Sequence, residues 1–185
     1  MDESELKRDL KALPAWRWKE ANAFRFPVDK MQNAKAYLLL CQGLREQYGI
    51  LAQPRFGYGE NGKPFLIDYP QIHFNLSHCS KGVVCVIDES PVGCDAETIP
   101  SCLDLDLLET CFSTAEQEKI LQSTNPQVEF ARLWTCKEAL LKLHGVGLGD
   151  SLPTVLTSSW NKGVSFLTQV FGQAKFAYTI CKKYQ

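Results

Sequence analysis

Apolar positions recur at helical spacing in some stretches of this chain and alternate in others, and the switches between the two mark its elements. Residues 1–13 read as an amphipathic or fraying helix. Ala34, Leu38, Cys41 and Leu44 repeat along one helical face and predict a helix to Tyr48, stopped by Gly49. Residues 55–69 are rich in turn formers, with Asn61-Gly62 as a hairpin signal. Ile72, Phe74 and Leu76 alternate and predict a strand; Ser77 to Lys81 connect it to a second over Gly82 to Ile87, and Val92 to Glu97 make a third. A helical region follows. A short helix is expected from Cys102 to Glu109, and Ser113-Thr114-Ala115-Glu116 is an S-x-x-E capping box that opens another. Asn125-Pro126 starts a long helix through Phe130, Trp134 and Leu141, which Gly145, Gly147 and Gly149 stop. Val164 to Phe171 and Lys175 to Lys182, joined at Gly172-Gln173, close the chain as two strands. Short turns between strands favour an antiparallel α+β arrangement over a doubly wound one. Each half holds one long helix and a meander, which hints at duplication without any residue-level repeat.

Composition narrows the classes. The chain has 185 residues, 45% of them hydrophobic and 22% charged, enough for one compact domain or two small halves sharing an interface. No apolar run approaches the ~20 residues that span a bilayer. The acidic opening Met1-Asp2-Glu3-Ser4-Glu5 does not have the form of a secretory signal, so a cytoplasmic protein is the expectation. A net charge of −1 gives no bulk footprint for nucleic acid. The charge is uneven, however. Residues 88–129 carry ten acidic residues and one basic one, Lys119, whereas residues 7–35 carry eight basic residues, among them Arg17, Lys19, Arg25, Lys30 and Lys35. One region suits a cation and the other an anion, although solvated helix faces of opposite sign would look the same. The eight cysteines contain no C-x-x-C pair, so they are expected as reduced thiols, mostly small core residues.

Two short segments carry candidate chemistry. Asp95 and Glu97 are two apart on a predicted strand, so both carboxylates project from one face, ~7 Å apart along it. Two oxygen ligands plus waters are what Mg²⁺ ordinarily takes from a protein; two solvent-facing acids would give the same pattern. Glu138 and Lys142 are four apart on a predicted helix, with Trp134 one turn earlier on the same face. By themselves they make an ordinary helix ion pair stabilising by ~0.3–0.5 kcal/mol. Lys137 points away, between Leu133 and Leu141, where a lysine either snorkels or reaches a ligand. Ser77-His78 closes the first predicted strand with a hydroxyl and an imidazole.

Five motifs occur in order: Gly62-Lys63-Pro64; Phe74-Asn75-Leu76-Ser77-His78; Val92-Gly93-Cys94-Asp95-Ala96-Glu97; Phe130-x-x-x-Trp134-x-x-Lys137-Glu138-Ala139-x-x-Lys142; and Gly145-x-Gly147-Leu148. This set, over residues 60–150, resembles the 4′-phosphopantetheinyl transferases of the surfactin-synthetase-activating (Sfp) type. The resemblance implies two similar α/β halves related by a pseudo-two-fold, each a long helix on an antiparallel sheet. These would be residues 1–94 and 95–185, with the active site at their interface and a monomer expected. It implies transfer of the phosphopantetheine arm of coenzyme A onto a serine of an apo acyl or peptidyl carrier protein, releasing adenosine 3′,5′-bisphosphate. By motif, Asp95, Glu97 and Glu138 would hold Mg²⁺, or Mn²⁺ in its place, and Glu138 would be the candidate base for the serine. Lys142 would meet the α-phosphate; Lys63, Ser77 and His78 would bind coenzyme A phosphates. Arg25, Lys30 and Lys35 are candidates for its 3′-phosphate. Neither nucleic acid nor membrane is implied as a partner. Ala96 stands where the family often has a larger aliphatic residue, and upstream of residue 50 the match is weak, with no strand of the kind that usually opens the family. The lack of a G-x-x-x-x-G-K-[ST] loop argues against a nucleoside triphosphate enzyme. Three carboxylates with a lysine argue against a binding module without turnover.

Overall fold

Helices come first: α1 (Glu3–Ala12), α2 (Ala15–Ala23) and α3 (Pro27–Tyr48). The computed structural model describes residues 3–147, 149 and 152–184. Leu148 of the glycine motif and the opening Met1-Asp2 lie outside them. α3 begins seven residues before the predicted start at Ala34, because Pro27 stands at its first turn with φ preset for a helix. Gln32 interrupts the apolar stripe there. It is buried all the same, its amide donating to the Cys79 carbonyl. Gly49 ends α3 in the left-handed conformation at φ 67°.

The strands follow as β1 (Phe56–Tyr58), β2 (Pro64–Leu66), β3 (His73–Cys79), β4 (Gly82–Asp88) and β5 (Val92–Thr98). β1 and β2 form the hairpin expected around Asn61-Gly62, with Phe56 opposite Leu66. β3 pairs antiparallel with β4, Phe74 opposite Ile87. Next come α4 (Leu105–Cys111), α5 (Thr114–Leu121), α6 (Pro126–His144) and two 3₁₀ segments, Leu152–Thr157 and Ser159–Asn161. The strands β6 (Val164–Phe171) and β7 (Phe176–Lys183) close the chain, in an antiparallel sheet of order β5-β7-β6. The architecture is α+β: α3 packs on the β3–β4 hairpin and α6 lies across the three-stranded sheet.

Some expectations shift. Ser77 and His78 belong to β3 and not to a connection. Asn75 Oδ1 accepts the Cys94 N–H (2.8 Å) and Ser77 Oγ accepts the Ala96 N–H (3.1 Å), so side chains of β3 satisfy the free edge of β5 and hold the two sheets together. The division at residue 94 falls inside β5, which pairs with β7 from Val92 to Thr98; the C-terminal sheet therefore begins at Val92. α4 starts at Leu105, capped by Asp104, which accepts the Leu107 N–H (3.0 Å). The capping box at Ser113 and Glu116 is present on both sides. Asn125 makes no side-chain cap; Pro126 alone marks the start of α6. The eight cysteines carry no disulfide.

Lys137 does not snorkel to the surface. It is fully buried, its Nζ 2.7 Å from Glu116 Oε2 and 2.7 Å from the Leu152 carbonyl, and it stands 5.1 Å from the centroid of the Phe112 ring. One ammonium thus ties α6 to α5 and to the first 3₁₀ segment. Burial lowers its pKa, and Glu116 draws it back up.

Candidate functional site

β5 and α6 meet at Gly93. A Cβ built there would fall 2.1 Å from the Ala139 carbonyl oxygen and 2.5 Å from the Leu143 nitrogen, so only glycine admits this approach. From that contact Asp95 and Glu97, two and four residues on, run along the face of α6 that carries Glu138 and Lys142. Together with Ser77, His78 and Trp134, all four line one cavity of about 330 Å³. Trp134 is held as its wall by stacking on Phe130, rings 6.0 Å apart and 11° from parallel.

Lys142 is the cation of the site, and its partner is Asp95 and not Glu138. Its Nζ lies 2.5 Å from Asp95 Oδ1 and 3.1 Å from Ser77 Oγ. The Ser77 hydroxyl donates to Asp95 Oδ1 (2.9 Å) while accepting from Lys142 and from the Ala96 N–H. All its hydrogen-bonding capacity is in use, which makes Ser77 a positioning group for Asp95. Asp95 Oδ2 and Glu138 Oε1 are buried with no hydrogen-bond partner. Burial raises the Glu138 pKa, and the charges of Asp95 and then Glu97 add to the rise against the pull of Lys142. Glu97 is raised by burial first; Oε1 accepts the Thr98 N–H (2.7 Å), which opposes the rise. Burial, then the Lys142 charge, lowers His78, so its imidazole is neutral at pH 7.

Three carboxylates crowded along one cavity, two of them raised by burial and by neighbouring charge, are the chemistry of a hard-cation site. The donor set is all oxygen, and the two unpartnered buried oxygens are on the strand and on the helix. As the side chains stand they do not converge: among the described residues no three acidic, histidine or cysteine groups are close enough to hold an ion. Lys142 engages Asp95 Oδ1, and one Glu97 oxygen is turned to the backbone.

The raised Glu138 pKa has a stability consequence. The folded state binds that proton more tightly than the unfolded chain, so stability is lost as pH rises from the ordinary value of 4.5 through the raised one. Glu138→Gln is therefore expected to melt above the unsubstituted protein at pH 7–8, by ~2–4 °C for each kcal/mol relieved. The difference should disappear below ~pH 4, where both side chains are neutral. Thermal denaturation across that pH range checks it.

The remaining candidates lie elsewhere. Lys63 Nζ donates to the carbonyls of Val92 (3.0 Å) and Leu143 (2.9 Å) and lines a separate cavity of about 490 Å³ beside His73 and Gly145. Lys35 pairs with Glu5 (2.5 Å) along a third cavity, of about 440 Å³. Lys30 reaches Asn22 Oδ1 at 3.4 Å, and Arg25 is exposed over the Phe26 ring. None of these four lines the carboxylate cavity. Two residues that serve the site were not singled out in the sequence. Asn75 anchors β5 through a bond spanning 19 residues, which leaves no local trace. Gly93 did leave one: a glycine inside an apolar strand signals close backbone approach.

Residues 91–185 match the 4′-phosphopantetheinyl transferase superfamily. The chain belongs to this superfamily. Its relatives include the 4′-phosphopantetheinyl transferase psf-1 of Bacillus pumilus, 36% identical over 135 residues, which are 71% of this chain and 58% of that one. The transferase Sfp of Bacillus subtilis strain 168 is 38% identical over 101 residues, 54% of this chain and 44% of its own. The transferase ffp of Bacillus subtilis is 30% identical over 156 residues, 83% of this chain and 68% of its own. The chain thus spans between 44% and 68% of the length of these three relatives. The superfamily match runs from β5 to the chain end, so it contains Asp95, Glu97, Glu138 and Lys142, while Lys63, Ser77 and His78 lie upstream of it.

Proposed function

We propose that this protein transfers the 4′-phosphopantetheine arm of coenzyme A to a serine of an apo acyl or peptidyl carrier protein, with Mg²⁺ or Mn²⁺, releasing adenosine 3′,5′-bisphosphate. The observation that carries the reading is a single cavity lined by Asp95, Glu97, Glu138 and Lys142, in which one carboxylate oxygen from the strand and one from the helix are buried without partners. The names of the relatives support the same chemistry.

In this reading Asp95, Glu97 and Glu138 hold the divalent cation, which supplies charge neutralisation at the diphosphate when bound. The serine oxygen forms a bond to the phosphorus that carries the pantetheine arm. The bond from that phosphorus to the bridging oxygen breaks, and adenosine 3′,5′-bisphosphate leaves with the electron pair. The serine proton goes to Glu138, directly or through water, and the raised pKa of Glu138 makes it a better base than an ordinary carboxylate. A carboxylate that also binds the cation is a weaker base, so of its two roles the metal role is the better supported. Lys142 moves to the α-phosphate and stabilises charge on the leaving group. Ser77 keeps Asp95 oriented, and neutral His78 offers a hydrogen-bond donor to phosphate. Lys63, Arg25, Lys30 and Lys35 serve coenzyme A outside the carboxylate cavity.

The fold is read in the same terms: α3 on its hairpin and α6 on its sheet are the two α/β halves of a pseudo-two-fold pair, with the site between them. The carrier meets the segment between the two acidic motifs, residues 98–128, through the apolar side chains that the stretch from Leu103 to Phe112 leaves accessible, Leu105 foremost, since Leu108 and Phe112 are buried in the core. The working form is a cytoplasmic monomer whose partners are soluble, neither nucleic acid nor membrane. No helix of the described residues is long and apolar enough to cross a bilayer, which is compatible with this.

Incubation with coenzyme A, Mg²⁺ and an apo carrier protein tests the reading. The carrier is expected to gain the mass of one phosphopantetheine, and Glu138→Gln to slow the gain by ~10²–10³, the scale of losing one charge-stabilising group. An unmodified carrier across fatty acid, polyketide and peptide systems would refute the transferase reading.

A further inference from the structure

We infer that Lys142 competes with the divalent cation for Asp95, and that a diphosphate-bearing ligand relieves the competition, so that cation and ligand bind cooperatively through one side chain. The inference rests on the metal reading above and adds an order of events to it.

The geometry around Asp95 points there. Oδ1 is engaged twice, by Lys142 Nζ at 2.5 Å and by the Ser77 hydroxyl at 2.9 Å. Oδ2 has no partner and is buried. The ammonium therefore sits on a carboxylate whose charge acts on both Glu97 and Glu138, and among the described residues it is the only lysine or arginine lining the cavity. A divalent ion that uses Asp95 comes within contact range of this ammonium, and like charges at that range repel strongly in a partly buried site. The ammonium has to leave.

It has a route out. Asp95 is 7% exposed at its side chain and fixed by β5, whereas the Lys142 side chain keeps 31% of its surface open. A lysine stem rotates readily toward solvent, but its departure gives up bonds to Asp95 and Ser77. A phosphate at the mouth of the cavity replaces them with charge-assisted bonds of equal kind. His78, which lines the same cavity, is neutral and offers the ammonium no competing charge. Without a phosphate ligand the cation works against Lys142; with one, Lys142 is drawn off and the cation finds Asp95 free. Linkage makes the effect reciprocal, so the cation tightens the ligand by the same factor.

Mn²⁺ binding to the full chain, followed by electron paramagnetic resonance with and without coenzyme A and corrected for the Mn²⁺–coenzyme A complex in solution, tests this. Coenzyme A is expected to tighten Mn²⁺ by ~10-fold, inside the usual 5–150-fold range of coupling. Lys142→Met is expected to bind Mn²⁺ alone ~10-fold more tightly than the unsubstituted protein and to lose most of the coenzyme A effect. Since Lys142→Met also leaves Asp95 unpaired, a measurement on the unsubstituted chain stands beside it. The ¹⁵N signal of the Lys142 ammonium should move when diamagnetic Mg²⁺ is added. Equal Mn²⁺ affinity in both proteins, or a Lys142 signal that Mg²⁺ leaves unmoved, overturns the competition while leaving the metal reading standing. Failure of Mn²⁺ to bind either protein, with or without coenzyme A, overturns the metal reading itself.

Discussion

Gly93→Ala is expected to disable the site without altering the identity of any of its functional side chains. The added methyl would meet the Ala139 carbonyl oxygen at 2.1 Å and the Leu143 nitrogen and Cα at 2.5 and 2.9 Å. These are backbone atoms in the last two turns of α6, which cannot rotate aside as a side chain would. Either β5 lifts from the helix or the helix bends. Overpacking of this kind costs ~1–3 kcal/mol and sometimes more. The functional loss should exceed the loss of stability, because Asp95 sits two residues along the displaced strand. Its separation from Glu138 and Lys142 would change by a sizeable fraction of an ångström, and a misplacement of ~1 Å costs on the order of 10² in rate. Gly82→Ala is the comparison, since a methyl there meets only the Phe176 ring at an ordinary 3.8 Å. Melting temperature and phosphopantetheine transfer should both fall for Gly93→Ala and both hold for Gly82→Ala. Unaltered kinetics in Gly93→Ala would mean that the approach of β5 to α6 does not set the site.

Lys137→Met is expected to cost about 3 kcal/mol of stability although the residue lies outside the cavity. It removes a fully buried ammonium that bonds Glu116 Oε2 and the Leu152 carbonyl. Breaking a buried pair on one side costs ~3–5 kcal/mol, since the other charge is left without its partner. Glu116 keeps some compensation: its Oε2 still accepts from the Ser113 N–H (2.8 Å) and hydroxyl (3.0 Å). The low end, ~3 kcal/mol, is therefore the expectation. The Leu152 carbonyl has no such second donor from this lysine. Lys137→Met with Glu116→Gln should recover part of the loss, because a neutral pair removes the stranded charge. Urea denaturation midpoints of the single and double variants decide it. A double variant no more stable than Lys137→Met would show that the cost lies in the Leu152 contact and not in the ion pair.

These two residues also show where sequence patterns carry information and where they stop. β6 and β7 follow from alternation, and α6 from a proline at one end and a glycine at the other, because each signal is local. The start of α3 was hidden, since Gln32 breaks its apolar stripe and is buried by a bond to a carbonyl 47 residues away. α2 was hidden more deeply: of its side chains only Ala21 is buried, so no periodic stripe exists to be read. β3 outruns its apolar pattern because Asn75 and Ser77 earn burial through the backbone of β5, not through packing. At the site, the carboxylates and Lys142 were legible as types at the right spacing. Their pairing was not. The i, i+4 rule joins Glu138 to Lys142, but the structure joins Lys142 to Asp95 across 47 residues. Lys137 sat in an apolar stretch whose pattern suggests a snorkelling or ligand-bound lysine, and its partner Glu116, 21 residues earlier, looked fully occupied as a helix cap.

The central claim is that Asp95 of the strand and Glu138 of the helix share one divalent ion. Crystals of the protein grown with coenzyme A and Mn²⁺ test it most directly through the anomalous signal of the metal. One peak bonded to Asp95 Oδ2 and Glu138 Oε1 is expected, with Lys142 drawn off Asp95 toward the diphosphate. Coenzyme A bound in the cavity with the metal peak elsewhere, or with Glu138 turned away from it, would contradict the account.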